Sequence, residues 1–134
     1  VPKGAQQHPQ WLTRDWHQWA WLLLQQVSGM PVALAYNSLG AGASINHLHF
    51  HWVVEDSYPI ESSRWIHNSG CFEYPAEVLH FNDSQTAWKH IQQQQAANQP
   101  FNLLYRKQQL YLIVRKHLSD CPAPAGFSAL SWYE

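Results

Sequence analysis

Cysteine and charge are both scarce in this chain of 134 residues. Its two cysteines, Cys71 and Cys121, lie far apart and form no CxxC pair, which argues against a disulfide scaffold and against a zinc ribbon. Charged residues make up 13% of the chain and the net charge is −1, so the basic surface that nucleic-acid binding uses is missing. We therefore expect no nucleic-acid partner and a reducing, cytoplasmic location.

Long apolar runs are missing as well. No stretch approaches the ~20 residues that a membrane-spanning helix needs, so we expect no membrane partner. Tryptophan, by contrast, is frequent, and eight tryptophans in a chain of this size predict a folded domain with aromatic anchors. The length predicts a single domain over residues 1–134. The opening VPKG is typical of a start inside a domain, so we expect a fragment.

The order of the predicted elements is helix, three strands, helix and hairpin. A first helix is predicted within residues 12–29, capped by Thr13 and ended by Gly29, with an apolar stripe of Trp16, Trp19, Ala20, Leu23, Leu24 and Val27. Strands are predicted at 32–37, 45–55 and 76–81, a helix from Asp83 or Ser84 to about residue 97, and a hairpin at 101–116. This order does not alternate as βαβ units do, so it favours an antiparallel α+β fold.

The segment NSLGAGASINHLHFHW, residues 37–52, is the most informative part of the chain. His47, His49 and His51 occupy alternate positions, and a strand would project them from one face at intervals of ~6.5–7 Å. The opposite face would then pack under the first helix through the apolar residues Leu48, Phe50, Trp52 and Val54.

Three interpretations of the histidines compete: metal ligands, a phosphate site, or a polar sheet face without a ligand. Two histidines at i and i+2 can bind zinc if another ligand comes from elsewhere. The loop before them favours phosphate, because backbone N–H groups of small residues can approach an anion closely, whereas a metal needs electron-pair donors. That loop consists of Gly40, Ala41, Gly42, Ala43 and Ser44. We accordingly predict no metal site and no cofactor.

HLHFHWV matches the histidine triad pattern, in which histidines alternate with apolar residues, and the chain resembles the histidine triad (HIT) superfamily. YNSLGAGASINHLHFH is similar to the corresponding stretch of the GDP-hexose phosphorylases, namely GDP-L-galactose and GDP-D-glucose phosphorylases. Diadenosine tetraphosphate phosphorylases are more distantly similar, and galactose-1-phosphate uridylyltransferases fit less well. The resemblance continues in PIES, YPAEVLHF and NQPFNLLYRKQQLYLIVRK, and thus covers about residues 1–116.

The resemblance implies a HIT-like antiparallel sheet with packed helices, a single HIT-like domain at 1–134, and the loss of upstream strands. It also implies a nucleotidyltransferase of the phosphorylase type, acting on a GDP-hexose-like nucleotide sugar or a dinucleotide together with inorganic phosphate. His49 would be the nucleophile, His47 would orient it and His51 would donate to a phosphoryl or leaving oxygen. Substrate contacts would come from Asn37, Gly40, Gly42, Ser44 and Asn46. Relatives often form dimers, which adds a homodimer to the expected partners.

The sequence departs from the phosphorylase pattern at His51, where the phosphorylase and transferase branch usually carries glutamine and the hydrolase branch carries histidine. Phosphate, a sugar phosphate and water therefore all stay candidate acceptors. The alternatives are a HIT-type nucleotide hydrolase, a metal-binding protein that uses the three histidines, and a non-catalytic nucleotide-binding module. The other histidines are predicted to have surface or core roles. The cations Arg64, Arg106, Arg115 and Lys116 could steer a phosphate, but a solvated role is predicted for each.

Overall fold

The structure, a computed structural model, describes residues 9–43 and 45–115. Its helices and strands are α1 (Arg14–Gln26), β1 (Val32–Asn37), β2 (His51–Val54), β3 (Glu77–Phe81), α2 (Ser84–Ala96), β4 (Phe101–Arg106) and β5 (Gln109–Val114). Short 3₁₀ turns at Pro59–Glu61 and Ile66–Asn68 lie between β2 and β3. In this described part of the chain, five strands form one antiparallel sheet in the order β2-β1-β4-β5-β3, beside two helices. The predicted antiparallel α+β fold is confirmed.

Helix α1 begins where the sequence predicts. The Thr13 hydroxyl accepts a hydrogen bond from the Trp16 N–H at 3.2 Å, as an N-cap does. Most of the predicted stripe faces the core: Ala20 and Leu24 are buried, and Trp16, Leu23 and Val27 are partly buried against the core. The buried face also includes His17 and Trp21, which were not predicted. A histidine that bonds to protein groups with both ring nitrogens can be buried, and apolar periodicity alone does not detect it. Gly29 lies beyond the end of α1, in the turn to β1, with φ of 80°.

The second half of the fold follows the prediction closely. The Asp83 side chain accepts from the Thr86 N–H at 2.8 Å and so caps α2. β4 and β5 form the predicted hairpin, with Phe101 opposite Val114 and Arg106 opposite Gln109. β3 completes the sheet by pairing with β5. The three strands that follow the histidine segment thus build a rigid platform beside β1.

Both faces of the sheet are covered. The helices pack on one face, where the largest buried side chains include Leu24, Tyr36, Leu48, Ile91, Leu103 and Tyr105. The other face carries the small residues Ala33 and Ala35 of β1 and is covered in part by Tyr58 and Ile60 from the first 3₁₀ turn. His51 lies opposite Ala35 in the β1–β2 ladder. Because paired residues point to the same face, the His51 side chain is on the face away from the helices.

The strand predicted at 45–55 is shorter than expected. Only His51–Val54 is strand, and residues 45–50 are irregular. Leu48 and Phe50 still pack on the helix side as predicted. Trp52 and Val54 lie on the same side, paired with the core residues Leu34 and Val32, but they are 48% and 52% exposed. β2 is the edge strand of the sheet, and the contact with α1 is made further back, where Phe50 meets Trp19 at 5.6 Å between ring centroids.

Within the two described ranges, no helix combines the length and the apolar character needed to cross a membrane. The expectations for five further residues concern positions outside the described residues: His8, Ser44, Lys116, His117 and Cys121.

Candidate functional site

The imidazole of His49 is held by the backbone of the residue two positions earlier. Its Nδ1 lies 2.8 Å from the carbonyl oxygen of His47. A carbonyl oxygen only accepts hydrogen bonds, so in the neutral ring the proton is on Nδ1 and the lone pair is on Nε2. His49 and His47 are both half-buried. The arrangement therefore presents one basic ring nitrogen with a fixed orientation.

His51 is the neighbour of His49 on the same segment. The two ring centroids are 5.3 Å apart, and the ring planes are nearly perpendicular, at 81°. Partial desolvation, and secondly the charge of His49, lower the pKa of His51 below its usual value. His51 therefore stays mostly uncharged near neutral pH, and it can accept a proton or donate a single N–H.

The backbone of the histidine segment is held in place by Gln10, which was not among the predicted site residues. The His49 N–H donates to Gln10 Oε1 at 3.0 Å, and Gln10 Nε2 donates to the Asn37 carbonyl at 2.7 Å. The backbone N–H of Gln10 also donates to Asn46 Oδ1 at 2.9 Å. Asn46, predicted to bind substrate, is exposed and makes this protein contact. No sequence pattern pointed to Gln10, because its partners are distant along the chain.

The small-residue loop of residues 40–44, the glycine loop, has a backbone conformation at Gly40 and Gly42 that suits glycine. Gly40 and Gly42 have φ of 83° and 101°, in the left-handed region that side chains with a Cβ rarely adopt. Between them the buried Ala41 donates its N–H to the Ser38 carbonyl at 3.0 Å. Alternation of left-handed and other backbone conformations turns successive N–H groups toward one side, which is how anion-binding concavities form. Ser44, the last predicted member of this loop, lies outside the described residues.

A series of buried hydrogen bonds connects the loop to β1 and β4. Asn102 Nδ2 donates to Asn37 Oδ1 at 2.6 Å and to the Ala41 carbonyl at 2.8 Å. Arg115 Nη1 donates to Asn102 Oδ1 at 2.7 Å. The Asn37 side chain, predicted to face a phosphate, is thus only 3% exposed and contacts Asn102. Asn102 was not predicted as a site residue, although a polar residue inside the apolar run FNLLYR could have indicated it.

Other polar residues of the chain are used elsewhere in the fold. Arg106, expected to be solvated, is buried and forms a partly buried ion pair with Glu61, with Nε–Oε1 at 2.8 Å and Nη2–Oε2 at 3.1 Å. The His67 ring nitrogen Nε2 lies 2.7 Å from the Ile60 carbonyl. Over residues 9–43 and 45–115, no group of three or more His, Cys, Asp or Glu side chains is arranged to hold a metal ion.

Comparison with known proteins identifies one related region. Residues 1–53 match the family model described as GDPGP1-like, N-terminal domain. The matched segment contains Gln10, α1, β1, the glycine loop and all three alternating histidines. The match supports a GDP-hexose phosphorylase-like relation for this part of the chain. No curated protein and no solved structure matches the chain significantly.

Proposed function

We propose that this protein is a nucleotidyltransferase of the phosphorylase type, acting on a nucleoside diphosphate hexose, with GDP-hexose as the first candidate. His49 Nε2 attacks the α-phosphorus, the bond from that phosphorus to the bridging oxygen breaks, and hexose 1-phosphate leaves with the bridging oxygen. Inorganic phosphate then attacks the nucleotidyl-histidine, which regenerates His49 and releases the nucleoside diphosphate. The match of residues 1–53 to the GDPGP1-like model supports this substrate class.

The observation that carries the proposal is the hydrogen bond from His49 Nδ1 to the His47 carbonyl at 2.8 Å. In the neutral ring it places the proton on Nδ1 and leaves the lone pair of the attacking nitrogen, Nε2, available. When Nε2 bonds to phosphorus, the ring becomes positively charged, and the carbonyl dipole stabilises the Nδ1–H of that ring. Splitting a difficult displacement into two easier ones through such an intermediate is nucleophilic catalysis.

The glycine loop and His51 supply the second part of the mechanism. Backbone N–H groups of the loop around Gly40 and Gly42 hold the non-bridging oxygens, where negative charge increases during the displacement. Ser44 completes this set in our proposal, with Asn46 at the rim of the site. His51, beside His49, donates its N–H to a phosphoryl oxygen or to the bridging oxygen as hexose phosphate departs. Asn37 acts from beneath, since its side chain positions the loop through Asn102.

A trapping experiment tests the proposal. The protein is incubated with nucleotide sugars labelled in the α-phosphate, without an acceptor, and quenched at alkaline pH, where bonds from phosphorus to histidine persist. We expect label on the wild type and none on His49→Ala. His90→Ala is the matched control, because His90 Nδ1 also lies near a backbone carbonyl, that of Thr86 at 3.1 Å, but on the α2 surface.

Two results would overturn this mechanism. Label retained by His49→Ala would assign the nucleophile to another residue. The other result is a wild type that binds the nucleotide sugar, takes no label and releases no hexose phosphate when phosphate is added. That result would indicate a nucleotide-binding module without catalytic activity. A panel of guanosine, uridine and adenosine diphosphate sugars, together with dinucleoside polyphosphates, identifies the base and the leaving group.

Hydrolysis is the second candidate, and His51 is the observation that favours it. A histidine with a lowered pKa, 5.3 Å from the nucleophile between ring centroids, can accept a proton from an attacking water. The product then is the nucleoside monophosphate in place of the diphosphate. Product analysis with and without phosphate separates the two: diphosphate formation that depends on phosphate indicates a phosphorylase, and monophosphate formation that ignores phosphate indicates a hydrolase.

A further inference from the structure

Followed from Val54 back along β2, the β1–β2 ladder ends at His51, two residues short of His49, and a side chain takes the place of the ladder beyond that point. The ladder pairs Val32 with Val54 and proceeds to Ala35 with His51. If the antiparallel register continued, Asn37 would pair with His49. These two residues are instead joined through Gln10, whose amide accepts from the His49 N–H at 3.0 Å and donates to the Asn37 carbonyl at 2.7 Å.

The Gln10 amide behaves here as an inserted peptide group. Its oxygen accepts from the N–H of one strand segment and its nitrogen donates to the carbonyl of the other, as a backbone peptide between two strands would. Inserting one amide moves two backbones apart by roughly one strand spacing, ~4.8 Å. The sheet edge therefore opens at His49, and residues 48–50 lie outside the ladder.

This opening has a consequence for the His49 ring. In a regular ladder the His47 carbonyl would lie in the sheet plane and bond to a neighbouring strand, whereas the side chain of His49 would stand perpendicular to that plane. Outside the ladder, the His47 carbonyl is able to turn toward the ring, and it lies 2.8 Å from Nδ1. The hydrogen bond that fixes the tautomer of His49 thus depends on the ladder being interrupted at this point.

Gln10 is itself held in place. Its residue is 2% exposed, and its backbone N–H donates to Asn46 Oδ1 at 2.9 Å. Two residues later, the buried Leu12 forms a pair of hydrogen bonds with the Gln95 side chain of α2, both at 2.9 Å. The chain around Gln10 is therefore anchored to the helix layer, and this anchoring restrains the Gln10 amide that holds the histidine segment.

We infer that Gln10 is a positioning residue that sets the backbone position and the ring tautomer of His49. Its catalytic meaning rests on the proposed nucleotidyl transfer, whereas its effect on the His49 ring does not. Gln10 contacts no reacting atom in this mechanism, and it acts only through His49 and Asn37.

The test uses Gln10→Ala, which removes the inserted amide, and Gln10→Glu, which keeps its shape but places an oxygen against the Asn37 carbonyl. Asn68→Ala is the matched control, because the Asn68 amide also bridges backbone groups, donating to the Ile60 and Ser62 carbonyls at 2.9 and 2.8 Å. Three quantities are measured on the protein: hydrogen exchange of the His49 amide, the His49 tautomer by ¹⁵N NMR of the ring, and the rate and half-saturation of nucleotide labelling.

For both Gln10 variants we expect faster exchange at the His49 amide and a smaller population of the tautomer protonated at Nδ1. We expect the maximal labelling rate to fall by about 10- to 100-fold, because misplacement of a reacting group lowers the rate of the chemical step. The nucleotide-sugar concentration at half-saturation should be nearly unchanged. Asn68→Ala should lower stability and leave all three quantities as in the wild type. Gln10→Glu keeps the test decisive if Gln10→Ala does not fold.

An unchanged His49 tautomer and exchange rate in the folded variants would overturn the inference, whatever the labelling shows. A wild type that takes no label, together with a tautomer that responds to Gln10→Ala, would support the positioning and overturn the nucleotidyl transfer. A general loss of labelling in Asn68→Ala equal to that of Gln10→Ala would also count against Gln10, since the effect would then follow stability alone.

Discussion

Asn102 donates one side-chain amide to two acceptors, Asn37 Oδ1 at 2.6 Å and the Ala41 carbonyl at 2.8 Å. The first acceptor belongs to the end of β1, and the second belongs to the glycine loop. A single residue of β4 thereby fixes the loop relative to the strand from which it departs. Asn102 is fully buried, so water cannot replace it when it is removed.

Replacement of Asn102 by leucine should therefore be costly. The Ala41 carbonyl would lose its donor and Arg115 would lose the Asn102 acceptor, and buried groups left without a partner cost about 1–3 kcal/mol each. We expect a reduction of about 2–4 kcal/mol in the free energy of unfolding, measured by urea titration. Asn82→Leu, at an exposed position, is the control and should change stability by about 0.5 kcal/mol or less. A loss at Asn102 no larger than that at Asn82 would contradict the support role.

Gly42→Ala separates backbone strain from ligand binding. A Cβ at φ of 101° strains the backbone, at a cost of about 1–2 kcal/mol. Gly29→Ala imposes comparable strain at φ of 80°, in a turn where the new Cβ would meet no atom within 4 Å. We expect both variants to lose stability to a similar extent in urea. Only Gly42→Ala should weaken binding of a nucleoside monophosphate, measured by calorimetry. Equal affinities of the two variants for the nucleoside monophosphate would contradict the assignment of this loop to the phosphate site.

The elements that the sequence predicted well have local causes. Thr13 and Asp83 cap their helices through bonds to residues three positions later, and the hairpin turns at a polar centre between two apolar runs. Such contacts lie within a few residues and leave a pattern in the chain. The alternation of His47, His49 and His51 is local too, and it predicted correctly that Leu48 and Phe50 pack on the helix side.

The features that the sequence did not predict depend on distant partners. β2 begins only at His51, and before it the Gln10 side chain, 39 residues from His49 along the chain, bridges His49 and Asn37 in place of direct ladder bonds. Asn37 contacts Asn102, 65 residues later, and this bond turns it away from solvent. His17 is buried because Tyr105 and Ser84 satisfy its ring. Alternation and helical periodicity report which face a residue occupies, but they carry no information about such pairs.

Chelation and His51→Gln distinguish covalent catalysis from a metal site. If His49 is the nucleophile, activity should survive a strong chelator, and His49→Ala should lose several orders of magnitude in rate. His51→Gln should be far milder, because glutamine also donates a hydrogen bond, and it should favour phosphate over water as acceptor. Stoichiometric zinc in the wild type, lost when any one of the three histidines is replaced, together with no trapped label, would assign the site to a metal.

His17 should make the stability of the fold depend on pH. Its Nε2 donates to the Ser84 carbonyl at 2.9 Å, so Nδ1 accepts from the Tyr105 hydroxyl at 2.8 Å, and this joins α1 to both α2 and the sheet. Burial lowers the pKa of His17 below its ordinary value of 6.5, because desolvation opposes the charged ring. The folded state therefore holds His17 neutral at a pH where the unfolded chain has begun to bind a proton.

The direction of the effect follows from that difference. Well above pH 6.5, the ordinary value of the His17 pKa, neither state binds the proton, and the contribution of His17 is complete. As the pH falls below 6.5, the unfolded state is protonated first, so stability should decline by at most ~1.4 kcal/mol per pH unit for this proton. His51 and His80, whose pKa values burial also lowers, add to the decline in the wild type.

We expect urea titrations from pH 7.5 to 5.5 to show a shallower decline for His17→Gln, which lacks the titrating ring, than for the wild type. His90→Gln removes a histidine from the surface of α2 and should keep the wild-type slope. Parallel curves for His17→Gln and the wild type would show that the buried ring takes no part in the pH dependence.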